Sequence, residues 1–345
     1  MTLQKFFGIE LPIVQAPMAG VQGSALAVAV SNAGGLGSLP CAMLGPDAIR
    51  QELAAIRAKT ANPFNVNFFC HTQPEPSAER EAAWRAALSP YFSEYGIDSG
   101  AIAPGPGRLP FNAESADVLS EFRPPVVSFH FGLPASDLLE RVRRWGAKIL
   151  SSATTVDEAR WLEAQGVDAV IAQGLEAGGH RGLFLTTDLS TQIGTFALVP
   201  QIVRAVRIPV IAAGGIGDAK GVAAAVALGA AGVQVGTAYL LCHEATTSAV
   251  HRAALKSDRA RVTALTNLFT GRPARGIMNR IMRELGPISA VAPAFPLATS
   301  AISPLRAKAE GLGNGDFSPL WAGQNATGCK DISAAALTRE LAGGL

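Results

Sequence analysis

Eight short apolar runs recur along the chain: Ile13 to Met18, Gly35 to Leu39, Phe64 to Phe69, Val126 to Phe131, Lys148 to Ala153, Ala169 to Gln173, Val210 to Ala213 and Gly232 to Gly236. Most are nearly continuous in hydrophobicity, as strands covered on both faces must be. Helical patterns lie between them, over Ser24 to Asn32, Asp47 to Lys59, Ala135 to Trp145, Thr155 to Gln165, Thr195 to Val206 and Asp218 to Leu228. Eight strand–helix units predict an α/β protein of the closed (β/α)8 TIM-barrel type, in preference to an open doubly wound sheet. The bulk composition agrees. A chain of 345 residues that is 48% hydrophobic and 16% charged can bury a large core, and 36 glycines serve its many short turns.

Two stretches break this rhythm. His71 to Phe111 is too long for one crossover and holds the Pro/Gly-rich Ala103-Pro104-Gly105-Pro106-Gly107. From about Ala249 to Phe317 the strand–helix pattern stops, and the segment reads as helices broken at Pro287, Pro293, Pro296 and Pro304. We expect residues 1–74, 112–248 and 318–345 to form the barrel. Residues 75–111 and 249–317 then make a smaller, mostly helical cap over one mouth.

The charge pattern excludes some partners. The net charge is +2 with no Lys/Arg-rich run, which gives no footprint for nucleic acid or for an anionic membrane surface. The apolar run near Ala25 to Val30 is too short to span a bilayer. No basic region followed by a long apolar one marks a signal peptide, so a cytoplasmic location is the default. Cys41, Cys70, Cys242 and Cys329 are far apart with no CxxC pair, and read as free thiols in a reducing compartment. No histidines fall at metal-ligand spacing, and no metal is expected.

In such a barrel the chemistry sits at the C-terminal ends of the strands. The sixth strand runs into Gln173-Gly174-Leu175-Glu176-Ala177-Gly178-Gly179-His180-Arg181-Gly182. Glycines there let backbone approach a ligand closely, and an imidazole suits proton transfer near neutral pH. His180 is therefore the catalytic candidate; a loop histidine holding one backbone group is the plainer reading. The seventh strand ends Ala213-Gly214-Gly215, and the eighth Gln234-Val235-Gly236-Thr237, about twenty residues further on. Together they match a phosphate cradle of backbone N–H groups. No GxGxxG opens a first βα unit and no Walker lysine loop occurs, so a Rossmann site is not supported. Ser128 and His130 share one face of the fourth strand, where they line the pocket or form an interior hydrogen bond. The amides of Asn67 and Gln173 stand at strand ends and suit the edge of a heterocycle or a neighbouring backbone group. Arg306, Lys308 and Ser303 fall in the cap; the two cations either draw an anionic substrate or face solvent.

These residues resemble the nitronate monooxygenases, formerly 2-nitropropane dioxygenases, and within them class I. The resemblance runs through Gln15 to Met18, Pro63 to Asn67, Val127 to Gly132, Ser152 to Thr155, Ala172 to Gly182, Ala212 to Gly217, Gly232 to Thr237 and Leu320 to Gln324. It implies FMN at the barrel mouth, with its phosphate between Gly215 and Gly236-Thr237. Ala16, Pro17, Met18, Asn67, Gln173, Gly178, Gly179, Gly214, Gln234 and Val235 complete the cofactor set. It implies His180 as the residue facing the flavin, and alkyl nitronates such as propionate 3-nitronate, or nitroalkanes, as substrates. Oxygen then re-oxidises the flavin without NAD(P)H, and the products are a carbonyl compound with nitrite or nitrate. His130, Ser303 and Lys308 are the substrate-side candidates, and a homodimer is compatible with the resemblance. Family members carry tyrosines near the cap, whereas this chain has only Tyr91, Tyr95 and Tyr239. Phe295, Ser300 or Ser303 stand in their place. Two other functions fit the same motifs: an NAD(P)H-dependent flavin reductase of the enoyl-ACP type, and a non-redox barrel that binds a phosphorylated ligand.

Overall fold

The computed structural model describes residues 2–102 and 107–344. Ala103 to Pro106 of the Pro/Gly-rich stretch lie outside the described residues. The strands are β1 (Ile13–Gln15), β2 (Gly37–Pro40), β3 (Phe64–Phe69), β4 (Val126–His130), β5 (Lys148–Ala153), β6 (Ala169–Gln173), β7 (Gly179–His180), β8 (Val210–Ala213), β9 (Gly232–Val235), β10 (Thr263–Thr266) and β11 (Ala274–Ile277). Eight of them form one parallel sheet in the order β1-β9-β8-β6-β5-β4-β3-β2. The sheet closes on itself: Gln15 N donates to Leu36 O at 2.9 Å and Leu36 N to Ile13 O at 2.8 Å, around a parallel Val14–Leu36 bridge. This is the (β/α)8 barrel that the eight apolar runs predicted. β1 is shorter than its apolar run, because Ala16 to Met18 leave the sheet as a loop at the barrel mouth. Pro17 has no N–H to continue the ladder.

The period of two along each strand separates two cores. Val126, Leu150, Ala169, Ile171, Ile211 and Ala213 pack together inside the barrel with Leu3 and Phe7 of the helix Leu3–Phe7, which plugs the far end. Their sequence neighbours Val127, Ile149, Val170, Ala172, Val210 and Ala212 pack outward against Leu53, Leu119, Leu162 and Ile202 of the surrounding helices. Towards the strand C-termini the inward positions become polar: Asn65, Asn67, Ser128, Ser152 and Gln173 are all buried. Buried amides and hydroxyls need partners. Asn65 Nδ2 donates to Ser38 Oγ at 3.0 Å and to Ser128 Oγ at 2.9 Å, and Asn67 Nδ2 donates to Ser128 Oγ at 2.9 Å.

Close helix–strand approach is set by Gly37. A Cβ there would lie 2.0 Å from Ala27 O of the helix Ser24–Asn32. Backbone cannot yield as a flexible side chain can. Gly37→Ala is therefore expected to destabilise the barrel by about 3–5 kcal/mol, read as a lowered urea midpoint with unchanged slope.

A separate apolar cluster joins the helix Ala78–Glu94 to the helix Thr299–Gly311, through Trp84, Leu88, Tyr91, Phe92, Ile302, Leu305 and Phe317. Trp84 Nε1 donates to Ala298 O at 3.2 Å and so ties the two segments that interrupt the barrel rhythm. Segment 249–317 is not helical throughout. β10 and β11 pair antiparallel within it, and β11 also pairs with β7, aligning Ala274 with His180. The His180 loop is thus an edge strand anchored to this segment. Four-residue strands with little apolar alternation gave no sequence signal. Among the described residues no helix is long and apolar enough to cross a membrane.

Candidate active site

A cleft opens at the C-terminal mouth of the barrel and holds about 1290 Å³ of empty space counted out to its entrance. Of the predicted residues, Ala16, Pro17, Met18, Asn67, His130, Gln173, Gly178, Gly179, His180, Gly214, Gly215, Gln234, Gly236 and Thr237 line it. Val235 does not: its side chain packs outward in the core with the helices. Ser303 and Lys308 do not either. Ser303 is exposed, donates back to Thr299 O at 2.7 Å and borders a second cavity, while Lys308 is exposed on the helix Thr299–Gly311 and borders neither. The spacing of that helix turns Ile302, Leu305 and Ala309 inward, and residues 303 and 308 fall on its outer face. Sequence reasoning missed Phe69, Arg108, Ser152, His251 and Trp321, which also line the cleft. Ser152, as an inward position of β5, and Trp321, within the Leu320 to Gln324 stretch, carried a signal.

His180 is buried, and its Nε2 lies 2.9 Å from Thr270 Oγ1. Thr270 Oγ1 donates onward to Arg272 O at 3.4 Å, so it accepts from His180 Nε2–H. The other ring nitrogen has no partner among the described residues and is the one left to take a proton. Rings of Phe295 and Trp321 stand 5.3 and 5.5 Å from the imidazole. Burial first, then the positive fields of Arg108, His130, Arg272 and His71, holds its pKa well below the ordinary 6.5. His180 is therefore neutral at neutral pH and able to accept a proton.

The loop around it is clamped from below. Gln173 Nε2 donates to His180 O at 3.0 Å, and Gln173 Oε1 accepts from Gly182 N at 2.8 Å. His130 Nε2 also lies 3.1 Å from His180 O, and a carbonyl only accepts, so that nitrogen carries hydrogen. His130 Nδ1 then accepts from Ser152 Oγ at 3.0 Å. Burial lowers the His130 pKa to about 3. Its interior hydrogen bonds and its place on the cleft wall are both real, so the two readings of the sequence coexist. Gly182 is what lets the loop sit this low, since a Cβ there would come within 2.9 Å of His130 Cε1. The strained Phe131, at φ 70°, closes the same corner under the Arg272 guanidinium, 3.9 Å above its ring.

The residues fit a bound flavin nucleotide on three observations. Gln234 Oε1 is buried without a partner, a cost that a ligand donor would relieve. Among the described residues the N–H groups of Gly214, Gly215 and Gly236 donate to nothing, and Gly214 and Gly215 have φ values of 121° and 72°. Such left-handed turns open a nest of donors suited to a phosphate. Thr237 then opens the helical turn Thr237–Leu241, and its Oγ1 accepts from Gly323 N at 2.9 Å. Gly178 shapes the opposite wall, where a Cβ would lie 2.5 Å from Gly323 N and 2.6 Å from Ala322 C. Gly178→Ala is expected to push the 322–323 segment outward and leave the purified protein with less than half the wild-type flavin per chain, measured from flavin absorbance against protein concentration. Full flavin content would show that this contact is slack.

Comparison with known proteins agrees with this geometry. The nitronate monooxygenase family model matches residues 1–343. A nitronate monooxygenase of Pseudomonas aeruginosa is 43% identical over 98% of this chain and 97% of its own length. One of Paraburkholderia phytofirmans is 42% identical over 98% and 93%. Among solved structures, a nitroalkane oxidase from Streptomyces ansochromogenes is 39% identical, superposes with a TM-score of 0.89 and covers 99% of this chain and 97% of that one. FabK from Thermotoga maritima is more distant, with 29% identity, a TM-score of 0.70 and coverage of 99% and 94%. A non-redox binding barrel is thereby set aside. The chain belongs to the nitronate monooxygenase family of flavin-dependent oxidoreductases.

Proposed function

We propose that this enzyme uses FMN and O2 to oxidise alkyl nitronates of the propionate 3-nitronate type, without NAD(P)H, giving a carbonyl compound with nitrite or nitrate. The observation that carries the reading is the meeting, in one cleft, of a neutral buried His180 and the open donor nest of Gly214, Gly215 and Gly236. The nest, with Thr237, would hold the phosphate, and Asn67, Gln234 and the 178–179 backbone would hold the ring system. When bound there, FMN supplies the electron acceptor for the substrate and the site at which oxygen is reduced.

The chain's own residues bind, orient and move a proton. His180 takes a proton from the carbon next to a neutral nitro group. For a substrate that arrives as the nitronate, it places charge without deprotonation. Gln173 and His130 hold the His180 carbonyl and fix the ring's height over the cleft. Phe69, Phe131, Phe295 and Trp321 wall the imidazole and keep water from it. Arg272 supplies a positive field that favours an anionic substrate.

The FabK likeness favours a second reading, an NAD(P)H-dependent flavin reductase of the enoyl-ACP type. Anaerobic mixing separates the two. Loss of flavin colour with a nitronate and not with NADH supports the oxidation; rapid loss with NADH supports the reductase. Release of the flavin by denaturation and its chromatographic identification as FMN or FAD tests the cofactor.

A further inference from the structure

Four arginines lie at or near the cleft, of which Arg108 is in its lining, and the other three each donate to backbone or side-chain oxygens, although Arg272 Nε is left without a partner. Arg181 donates to Gln192 Oε1, Gly174 O and Gln173 O at 3.0, 2.7 and 2.8 Å. Arg275 donates to Leu175 O at 2.9 Å and to Thr263. Arg272 donates to Leu183 O and lies over Phe131. Arg108 differs. Among the described residues neither a carboxylate nor any other acceptor lies within bonding distance of its guanidinium, which rests 5.6 Å over the Phe295 ring. The charge acting on it is that of Arg306, itself paired with Glu310 at 2.8 Å. A half-buried cation with a cationic neighbour and no counterion is unfavourable unless an anion joins it.

Its place indicates which anion. Arg108 lines both the cleft and the adjoining cavity bordered by Met43, Ile102 and Pro296. His180 also stands against Phe295, 5.3 Å away. The backbone that carries Arg108 is pinned, because its carbonyl lies 2.9 Å from His71 Nε2 and accepts from Gln73 Nε2 at 2.6 Å. A planar guanidinium fork suits a carboxylate. We propose that Arg108 receives a second anionic group on the substrate, a carboxylate a few bonds from the reacting carbon. This rests on the nitronate reading of the site above.

The test compares propionate 3-nitronate with ethyl nitronate in wild type, Arg108→Leu and Arg108→Lys, all at equal flavin content and thermal midpoint. In Arg108→Leu, kcat/KM for propionate 3-nitronate is expected to fall at least tenfold, mainly through KM, while that for ethyl nitronate changes less than about threefold. Arg108→Lys should recover part of the loss. Succinate, in which a carboxylate replaces the nitronate, gives a readout independent of turnover. Its calorimetric affinity is expected to drop at least tenfold in Arg108→Leu. Equal losses on both nitronates, or unchanged succinate affinity, would overturn the assignment. If neither nitronate is oxidised but succinate binding still depends on Arg108, the anion site stands and the nitronate reading falls.

Discussion

Replacing His180 with Asn is expected to lower kcat/KM for neutral nitroalkanes by about 10²- to 10⁴-fold, the usual contribution of a positioned general base. Oxidation of nitronates supplied ready-made should stay within about tenfold of wild type, because the carbon proton is already gone. The split follows from the protonation state. With the pKa held well below 6.5 by burial and by Arg108, His130, Arg272 and His71, the imidazole is a free base at neutral pH. Asn keeps a polar group of similar reach and removes the basic nitrogen. The same depression predicts that nitroalkane activity does not fall through loss of this base as pH is lowered to 6.5. Equal losses on both substrate types would mean that His180 acts on charge or position alone. Steady-state kinetics on nitroethane and on its preformed nitronate measure the difference.

Acid is expected to destabilise the fold steeply below pH 6.5. His130 and His251 are both held neutral, with pKa values lowered by burial to about 3 and about 4 from 6.5. Between the folded and unfolded values the unfolded chain binds protons that the folded chain does not. Stability contributed by these groups is thus present above 6.5 and lost as pH falls. Each loses about 1.4 kcal/mol per pH unit, so at pH 5 the pair together remove about 4 kcal/mol. That is a large share of the roughly 5–15 kcal/mol of a typical fold. His180 adds to the effect in the same direction. Urea midpoints measured from pH 8 to pH 5 should fall accordingly, and His251→Gln should flatten the slope by one group's worth. A midpoint that stays level to pH 5 would show that water reaches these rings.

The barrel was legible because its strands are buried on both faces. Continuous runs such as Ala169 to Gln173 and Val210 to Ala213 match β6 and β8 residue for residue. The helix Ser24–Asn32 was equally plain, since Gly23 and the 33–35 turn bound it. Most of the cleft could be read because strand ends in a barrel converge on one mouth, which turns a linear list into a site. What escaped depends on contacts between distant segments. β7 exists only because Gly179–His180 meets Ala274–Arg275, nearly a hundred residues later. Arg108 reaches the cleft from the segment that interrupts the barrel, and nothing in its local sequence separates it from a solvated arginine. Val235 shows the converse: its backbone ends a barrel strand at the cleft, while the strand's alternation sends its side chain outward. Lys308 is similar: its charge suits an anion, while its exposed place on the helix Thr299–Gly311 sets it apart from the cleft lining.

Oxidation of a nitronate by oxygen at the His180 cleft requires no pyridine nucleotide in the function proposed above. The most direct measurement is oxygen uptake by the purified flavin-loaded protein on addition of propionate 3-nitronate, with NADH and NADPH absent. Immediate uptake that scales with enzyme and with nitronate is expected. No uptake, with flavin reduced instead on addition of NADH, would contradict it and assign the barrel to the reductases.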